Sequence, residues 1–134
     1  MLCVCFHTKK QQYAINSKLV VRILPRFSAT PIIGAPAWFC GVFNMQGRGV
    51  PLIDFCVLCH HTPAQALYST RVILLDCHDQ NGQAQRLALL TEGVTGTIRY
   101  QENAIHRLDI NLIKAPYLAE VVTDNKGIVQ LLDV

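Results

Sequence analysis

An all-β fold, barrel or sandwich, is the class this sequence predicts. Three observations predict it: apolar residues recur with a period of two, the apolar runs are short and stand roughly 8–12 residues apart, and glycine or proline punctuates them. The alternation starts at once. Leu2, Val4 and Phe6 interleave with Cys3, Cys5 and His7, a polar turn follows at Lys9 to Gln12, and Tyr13 and Ile15 resume the pattern, which is a β-hairpin. Leu19 to Leu24 is a β-branched apolar run around Arg22. Pro25, Pro31 and Pro36 then fix φ and remove backbone donors, so an extended connector follows.

Phe39 to Met45 and Val50 to Ile53 flank Gly47 and Gly49, whose tolerance of positive φ suits a tight reversal, and this predicts a second hairpin. Pro51 within it belongs at an edge or bulge, because it cannot donate to a central ladder. After Asp54, which is placed to cap the next turn, Phe55 to Leu67 loses the alternation and fits a short helix or turn. Asn81-Gly82 signals a type I′ turn between Val72 to Cys77 and Arg86 to Leu90. Gly93 to Ile98, Tyr117 to Val122 and Ile128 to Leu132 complete the strands, the last two joined through Asp124 to Gly127.

The 134 residues suit one domain or two very small subdomains sharing a core. Hydrophobic residues make up 51% and charged ones 16%, against roughly 25% charged in an ordinary domain, which excludes extensive disorder and leaves apolar surface to spare for partner contacts. Lysine and arginine total 12 against 9 acids, a net charge of +3, and the isoelectric point near 8.6 is below the basicity of a typical nucleic-acid module. The charge is uneven: Lys9, Lys10, Lys18, Arg22, Arg26 and Arg48 precede the first acid, Asp54, so one part of the molecule is cationic and suits an acidic protein surface better than nucleic acid or lipid. Ala29 to Met45 is broken by Pro31, Gly34 and Pro36 and cannot cross a bilayer. The apolar start, Met1 to Phe6, is too short for a secretory leader, so a cytoplasmic location is expected. In that compartment Cys3, Cys5, Cys40, Cys56, Cys59 and Cys77 are expected as packed thiols, not disulfides.

Few residues suggest a reaction. Cys56-Val57-Leu58-Cys59-His60 spells a c-type haem attachment string, but attachment happens outside the cytoplasm. Cys56, Cys59, His60 and His61 with Cys77 and His78 are the zinc or thiol-redox alternative; the first pair has finger spacing and the second is merely adjacent. Ser17, Ser28 and Ser69 lie in no nucleophile elbow, no phosphate-cradling loop is present, and the acids are scattered. No enzyme, cofactor or metal is expected.

The most informative block runs from Gly41 to Phe55: Gly41-Val42-Phe43-Asn44-Met45-Gln46-Gly47-Arg48-Gly49-Val50-Pro51-Leu52-Ile53-Asp54-Phe55. It resembles the G-V-x-N-x-R-G-x-x-x-P-x-x-D-L hallmark of the CheW-like domain family, the coupling module of bacterial chemosensory arrays. The resemblance extends to Tyr13-Ala14-Ile15, Leu19 to Ile23, Ile32 to Trp38, Val72 to Leu75, Leu87 to Leu90 with Glu92-Gly93-Val94, and Gly127 to Leu132, nearly the whole chain, residues 1–134, as a single such domain. It implies two small five-stranded SH3-like β-barrels packed on a shared hydrophobic core, with at most short helices. It also implies a non-catalytic adaptor that couples the cytoplasmic tip of a chemoreceptor, held in a groove between the barrels, to the regulatory domain of the histidine kinase CheA. With no room for a kinase domain, the chain resembles the stand-alone members, associated with membrane-bound arrays only through protein contacts.

On this resemblance the partner-binding residues are Val20, Arg22, Gly41, Val42, Asn44, Gln46, Gly47 and Val94. Aliphatic Val20, Val42 and Val94 suit an amphipathic helix and Asn44 would fix its register, although the three valines fit a core equally well. Gly41 and Gly47 also satisfy backbone requirements of a turn or bulge, and Trp38 fits either a core or an interface anchor. The family usually has an acid where Arg22 stands and an arginine where Gln46 stands, so this chain's site is the more positive, as a member of a divergent array would be.

Overall fold

In the computed structural model, residues 1–78, 81–107, 120–124 and 127–132 are described. Among the described residues the strands in chain order are β1 (Leu2–Thr8), β2 (Gln11–Asn16), β3 (Val20–Pro25), β4 (Phe39–Met45), β5 (Arg48–Asp54), β6 (Arg71–His78), β7 (Ala84–Thr91), β8 (Gly96–Arg99), β9 (Ile105–Arg107), β10 (Glu120–Asp124) and β11 (Gly127–Leu131), with one α-helix, α1 (Phe55–His60), and two single-turn 3₁₀ segments. One sheet runs β8-β1-β2-β11-β10-β9 and the other β3-β6-β7-β5-β4.

The second sheet has the five strands the resemblance implies; the first adds a sixth, the three-residue β9 paired to β10. Its outer strands β8 and β9 are consecutive, and Met1 and Tyr100 exchange bonds between amine and carbonyl at 2.7 and 2.8 Å where the chain turns. In the second sheet the connector after β3 swings back so that Thr30 pairs with Val42 of β4, with both N–H to O distances at 2.9 Å, which brings the two edges of the sheet round toward each other.

Three apolar clusters explain why the central strands read as unbroken hydrophobic runs. Cys3, Cys5, Ala14, Tyr100, Val122, Val129 and Leu131 fill the first barrel. Val50, Leu52, Val72, Leu74, Ala88 and Leu90 fill the second. Between the sheets lies a third cluster of Val4, Phe6, Tyr13, Ile15, Phe55, Ile73, Leu75, Leu89 and Leu132. Alternate residues of β1 and β6 therefore point into a barrel and into the shared layer, so both faces are apolar. Phe6, Tyr13 and Phe55 hold the layer's centre, with ring centroids 4.8–5.4 Å apart.

The turns refine the expectations. Thr8 pairs with Gln11, so β1 and β2 are joined by Lys9 and Lys10 alone, at φ +51° and +65°. Met45 pairs with Arg48, so the positive-φ pair of the next hairpin is Gln46 (+54°) and Gly47 (+86°), not Gly47 and Gly49; Gly49 lies in β5 opposite Asn44. The β6–β7 connection is not a two-residue type I′ turn, because the last pair is His78 with Ala84. Residues 79–80 within it lie outside the described residues, as do 125–126 of the last turn and Tyr117 to Ala119 of the expected strand before β10. Asp54 caps α1, its Oδ1 accepting from the amides of Cys56 (2.9 Å) and Val57 (3.2 Å) and its Oδ2 from Ala64 (3.0 Å).

Candidate functional site

The site residues fall into two groups at the two edges of the second sheet. Val20 opens β3, and Val94 lies between β7 and β8. Both are half-buried and pack against the shared layer, and the Val94 amide donates to the Ser69 carbonyl at 3.0 Å. Arg22 follows a bulge in β3 and is exposed; Val21 and Ile23 beside it are 40% and 39% exposed. Ile23 lies opposite Ile73 and Val20 opposite Leu75, both shared-layer residues, so these two share the sheet face that packs on the first barrel. Among the described residues β3 pairs only with β6, leaving its other edge open beside this apolar strip.

The second group is carried by the β4–β5 hairpin. Val42 is half-buried and lies opposite Pro51; Asn44 is exposed and its Oδ1 accepts the Gly47 amide at 2.8 Å, bracing the turn. Gln46 occupies the first turn position, where it is exposed at positive φ. Gly41 is buried at φ +144°, and a Cβ there would run into the Thr30 carbonyl oxygen, so the close approach of connector and strand requires glycine. Gly41 and Gly47 thus serve the backbone. The structure brings Val20 and Val94 to one cluster and keeps Val42, Asn44, Gln46 and Gly47 on the opposite edge strand.

The thiols of the alternative reading and His60 are drawn into packing, while His61 and His78 are exposed. Cys56 is buried beside the Thr8 hydroxyl at 3.5 Å, and burial raises its pKa, which disfavours the thiolate a metal or redox step needs. Cys59 is half-buried against the shared layer, and His60 Nε2 lies 3.0 Å from the Tyr13 hydroxyl. Cys77 donates to the Gln85 carbonyl at 3.5 Å, on β6, and burial raises it as well. Among the described residues no three His, Cys, Asp or Glu side chains converge as metal ligands. Trp38 is half-buried, ring to ring with Phe39 at 6.3 Å, and its carbonyl accepts the Asp54 amide.

Two features escaped the sequence reading. Val20 and Ile23, three apart, share a face because the bulge between Val20 and Arg22 shifts the strand's register, which alternation alone does not reveal. Leu67 and Tyr68, 50% and 99% exposed, stand on the loop that Glu92 and Asp54 pin down, Glu92 accepting from the Thr8 hydroxyl (2.9 Å) and the Gln65 amide (2.6 Å). No periodic signal marks that loop.

Two small barrels joined through one apolar layer, with a half-buried aliphatic rim beside an open strand, define a double-barrel scaffold domain. The family model for CheW-like domains matches residues 2–134. The chain belongs to the CheW-like domain family, the adaptor and scaffold domains of chemotaxis signalling. It is 35% identical over 52 residues to the chemotaxis protein CheW of Rhizobium meliloti (strain 1021), a match over 39% of this chain; the chain spans about a third (34%) of the length of that curated relative. Its fold is similar to the crystal structure of the scaffolding protein TtCheW from Thermoanaerobacter tengcongensis, with a TM-score of 0.82, 18% identity, and coverage of 99% of this chain and 84% of that one. Among the described residues no helix is long and apolar enough to cross a membrane.

Proposed function

We propose that this chain acts as one CheW-like domain, a non-catalytic adaptor that links the cytoplasmic tip of a chemoreceptor to the regulatory domain of a CheA-type histidine kinase, and so joins a membrane-bound array through protein contacts. The observation that carries the reading is the apolar rim of the shared layer, Val20 and Val94, continued by exposed Val21 and Ile23 on β3. Such a strip suits the apolar stripe of an amphipathic helix, and helix-in-groove docking needs shape and burial instead of reactive groups. Val42 and Asn44 belong to the partner surface on the hairpin side. Arg22, opposite Leu74, stands exposed on the other face of β3 beside the strip, and Gln46 is neutral, so the partner matched to this chain carries an acid where ordinary receptors or kinases meet an acidic adaptor residue, as a divergent array would.

The test is reconstitution from purified full chain, receptor signalling fragment and kinase, with binding read by sedimentation and calorimetry. Ile23→Arg and Val42→Arg are each expected to weaken binding at least tenfold with a nearly unchanged melting temperature. Arg22→Glu is expected to transfer preference toward the ordinary chemotaxis partners of the same cell. Equal affinity of the unaltered chain for every receptor and kinase tried would remove the divergent-array reading, and no binding to any would remove the adaptor.

A further inference from the structure

The β5–β7 ladder is incomplete, and the reason is local chemistry. Because Gln46 and Gly47 form a two-residue turn, Met45 and Arg48 are its closing pair, so the backbones of Arg48 and Val50 face β4 while those of Gly49 and Pro51 face the other way, toward β7. The parallel ladder starts at Leu52 with Ala88 and runs to Asp54 with Leu90. Carrying it one step further back requires an N–H at Pro51, which proline lacks. The two strands part there, and among the described residues no ladder joins the Gly49 backbone to the facing stretch of β7 at Arg86.

A cavity of about 380 Å³ opens at this place, lined by Arg48, Gly49 and Val50 of β5, Asp76 and His78 of β6 and Arg86 of β7. Asp76 is the single carboxylate among these, and its Oδ1 lies 3.2 Å from Arg86 Nε, which neutralises it and holds the guanidinium at the slot. Arg48 has no ion pair among the described residues, so the slot is left positive. Gly49 brings no side chain into the slot, and Val42 Cγ1 lies 3.2 Å from where its Cβ would stand. The volume sits near the lower end of the range for ligand pockets, about 300–1,000 Å³, and holds a few residues of chain, not a folded surface.

We propose that this slot binds a short acidic segment of a partner protein in extended conformation, pairing as a strand with the backbone of Gly49 and Arg86, which no ladder joins among the described residues, while Arg48 receives a carboxylate. Main-chain pairing supplies affinity and the arginines select the sign of the charge. The slot lies away from the β3 rim, but Arg48 and Gly49 share the β4–β5 hairpin with Val42 and Asn44, so its test uses a peptide alone and involves neither receptor nor kinase.

The probe is the capped pentapeptide Thr-Glu-Val-Glu-Thr, titrated into the full chain at low salt and followed by amide resonances. Binding should move the Gly49 and Arg86 amides. N-methylating alternate peptide residues, which removes donors and keeps both carboxylates, should weaken binding at least tenfold. Arg48→Gln and Arg48→Glu, each checked for an unchanged melting temperature, should weaken it progressively, and Pro51→Val, which restores the missing donor, should close the slot and abolish it. Three results overturn the proposal: no binding, equal binding of the N-methylated peptide, or displacement by an equal concentration of inorganic phosphate, the last marking a simple anion site.

Discussion

Replacing Asp54 with alanine removes the acceptor for three backbone amides at once: Cys56 and Val57 at the start of α1, and Ala64 in the loop beyond it. Loss of an N-cap costs typically about 1 kcal/mol. The Ala64 amide loses its carboxylate partner too; a buried orphan costs about 1–3 kcal/mol, and because Ala64 is only half-buried, water reaches it and the lower end applies. Asp54 is itself 5% exposed, so its removal also leaves space beside packed residues, and the sum is about 2–4 kcal/mol. Urea denaturation of the full chain measures it. Asp54→Asn separates the parts: its carbonyl oxygen can keep the two cap bonds, while its amide turns a donor toward the Ala64 N–H. That variant should lose about half as much stability, and hydrogen exchange should quicken at Ala64 with Cys56 and Val57 still protected. A loss under about 0.5 kcal/mol for Asp54→Ala, or uniform exchange across all three amides in Asp54→Asn, would show that the carboxylate does not organise this segment.

Lys10→Gly should stabilise the protein by about 1 kcal/mol and raise the melting temperature by a few degrees, because Lys10 sits at φ +65° in a two-residue turn where glycine carries no steric penalty; an unchanged midpoint would mean that strand pairing, not turn conformation, sets the local energy. Cys3 predicts an alkaline dependence. Its folded pKa is pushed up to about 11 by burial, with Cys5 adding to the rise and the terminal amine opposing it. Above pH 9 the unfolded chain releases a proton that the folded chain retains, so stability is fully present below that pH and falls as pH rises toward 11, by up to about 2–3 kcal/mol from this group. Cys3→Ala should flatten the slope of unfolding free energy against pH between 9 and 11, and an unaltered slope would assign it elsewhere.

The period-two pattern was enough to find both N-terminal hairpins and the closing pair of strands, because each places alternating side chains on faces that differ in surroundings. It does not tell which body each face meets. Cys3 and Cys5, expected as packed thiols, fill the first barrel while Val4 and Phe6 fill the shared layer. β9 was invisible, since Ile105–Arg107 holds a single apolar residue and forms only because β10 is at hand. The parallel pairings of β2 with β11 and β5 with β7 join segments far apart in sequence, and no local signal encodes them. For the site, Asp54 was legible because carboxylate capping is a local property; Pro51 stands in β5, an inner strand and neither an edge nor a bulge, where it is tolerated because the ladder to β7 starts only at Leu52. The face that Val20, Val42 and Val94 meet was not, because a bulge and a barrel closure decide it, as the register shift between Val20 and Arg22 illustrates.

The shared layer has a mechanical consequence. Phe6 and Tyr13 stack on each other and both meet Phe55 edge to face, and Val4, Ile73, Leu75 and Leu89 complete the layer from strands whose reverse sides line the two barrel interiors. Twisting one barrel against the other would have to disrupt this packed layer, so a rotation imposed at the β3 rim carries the first barrel with it. A spacer of this kind behaves as a stiff lever in any lattice that incorporates it, and small rotations imposed at one joint become displacements at the next.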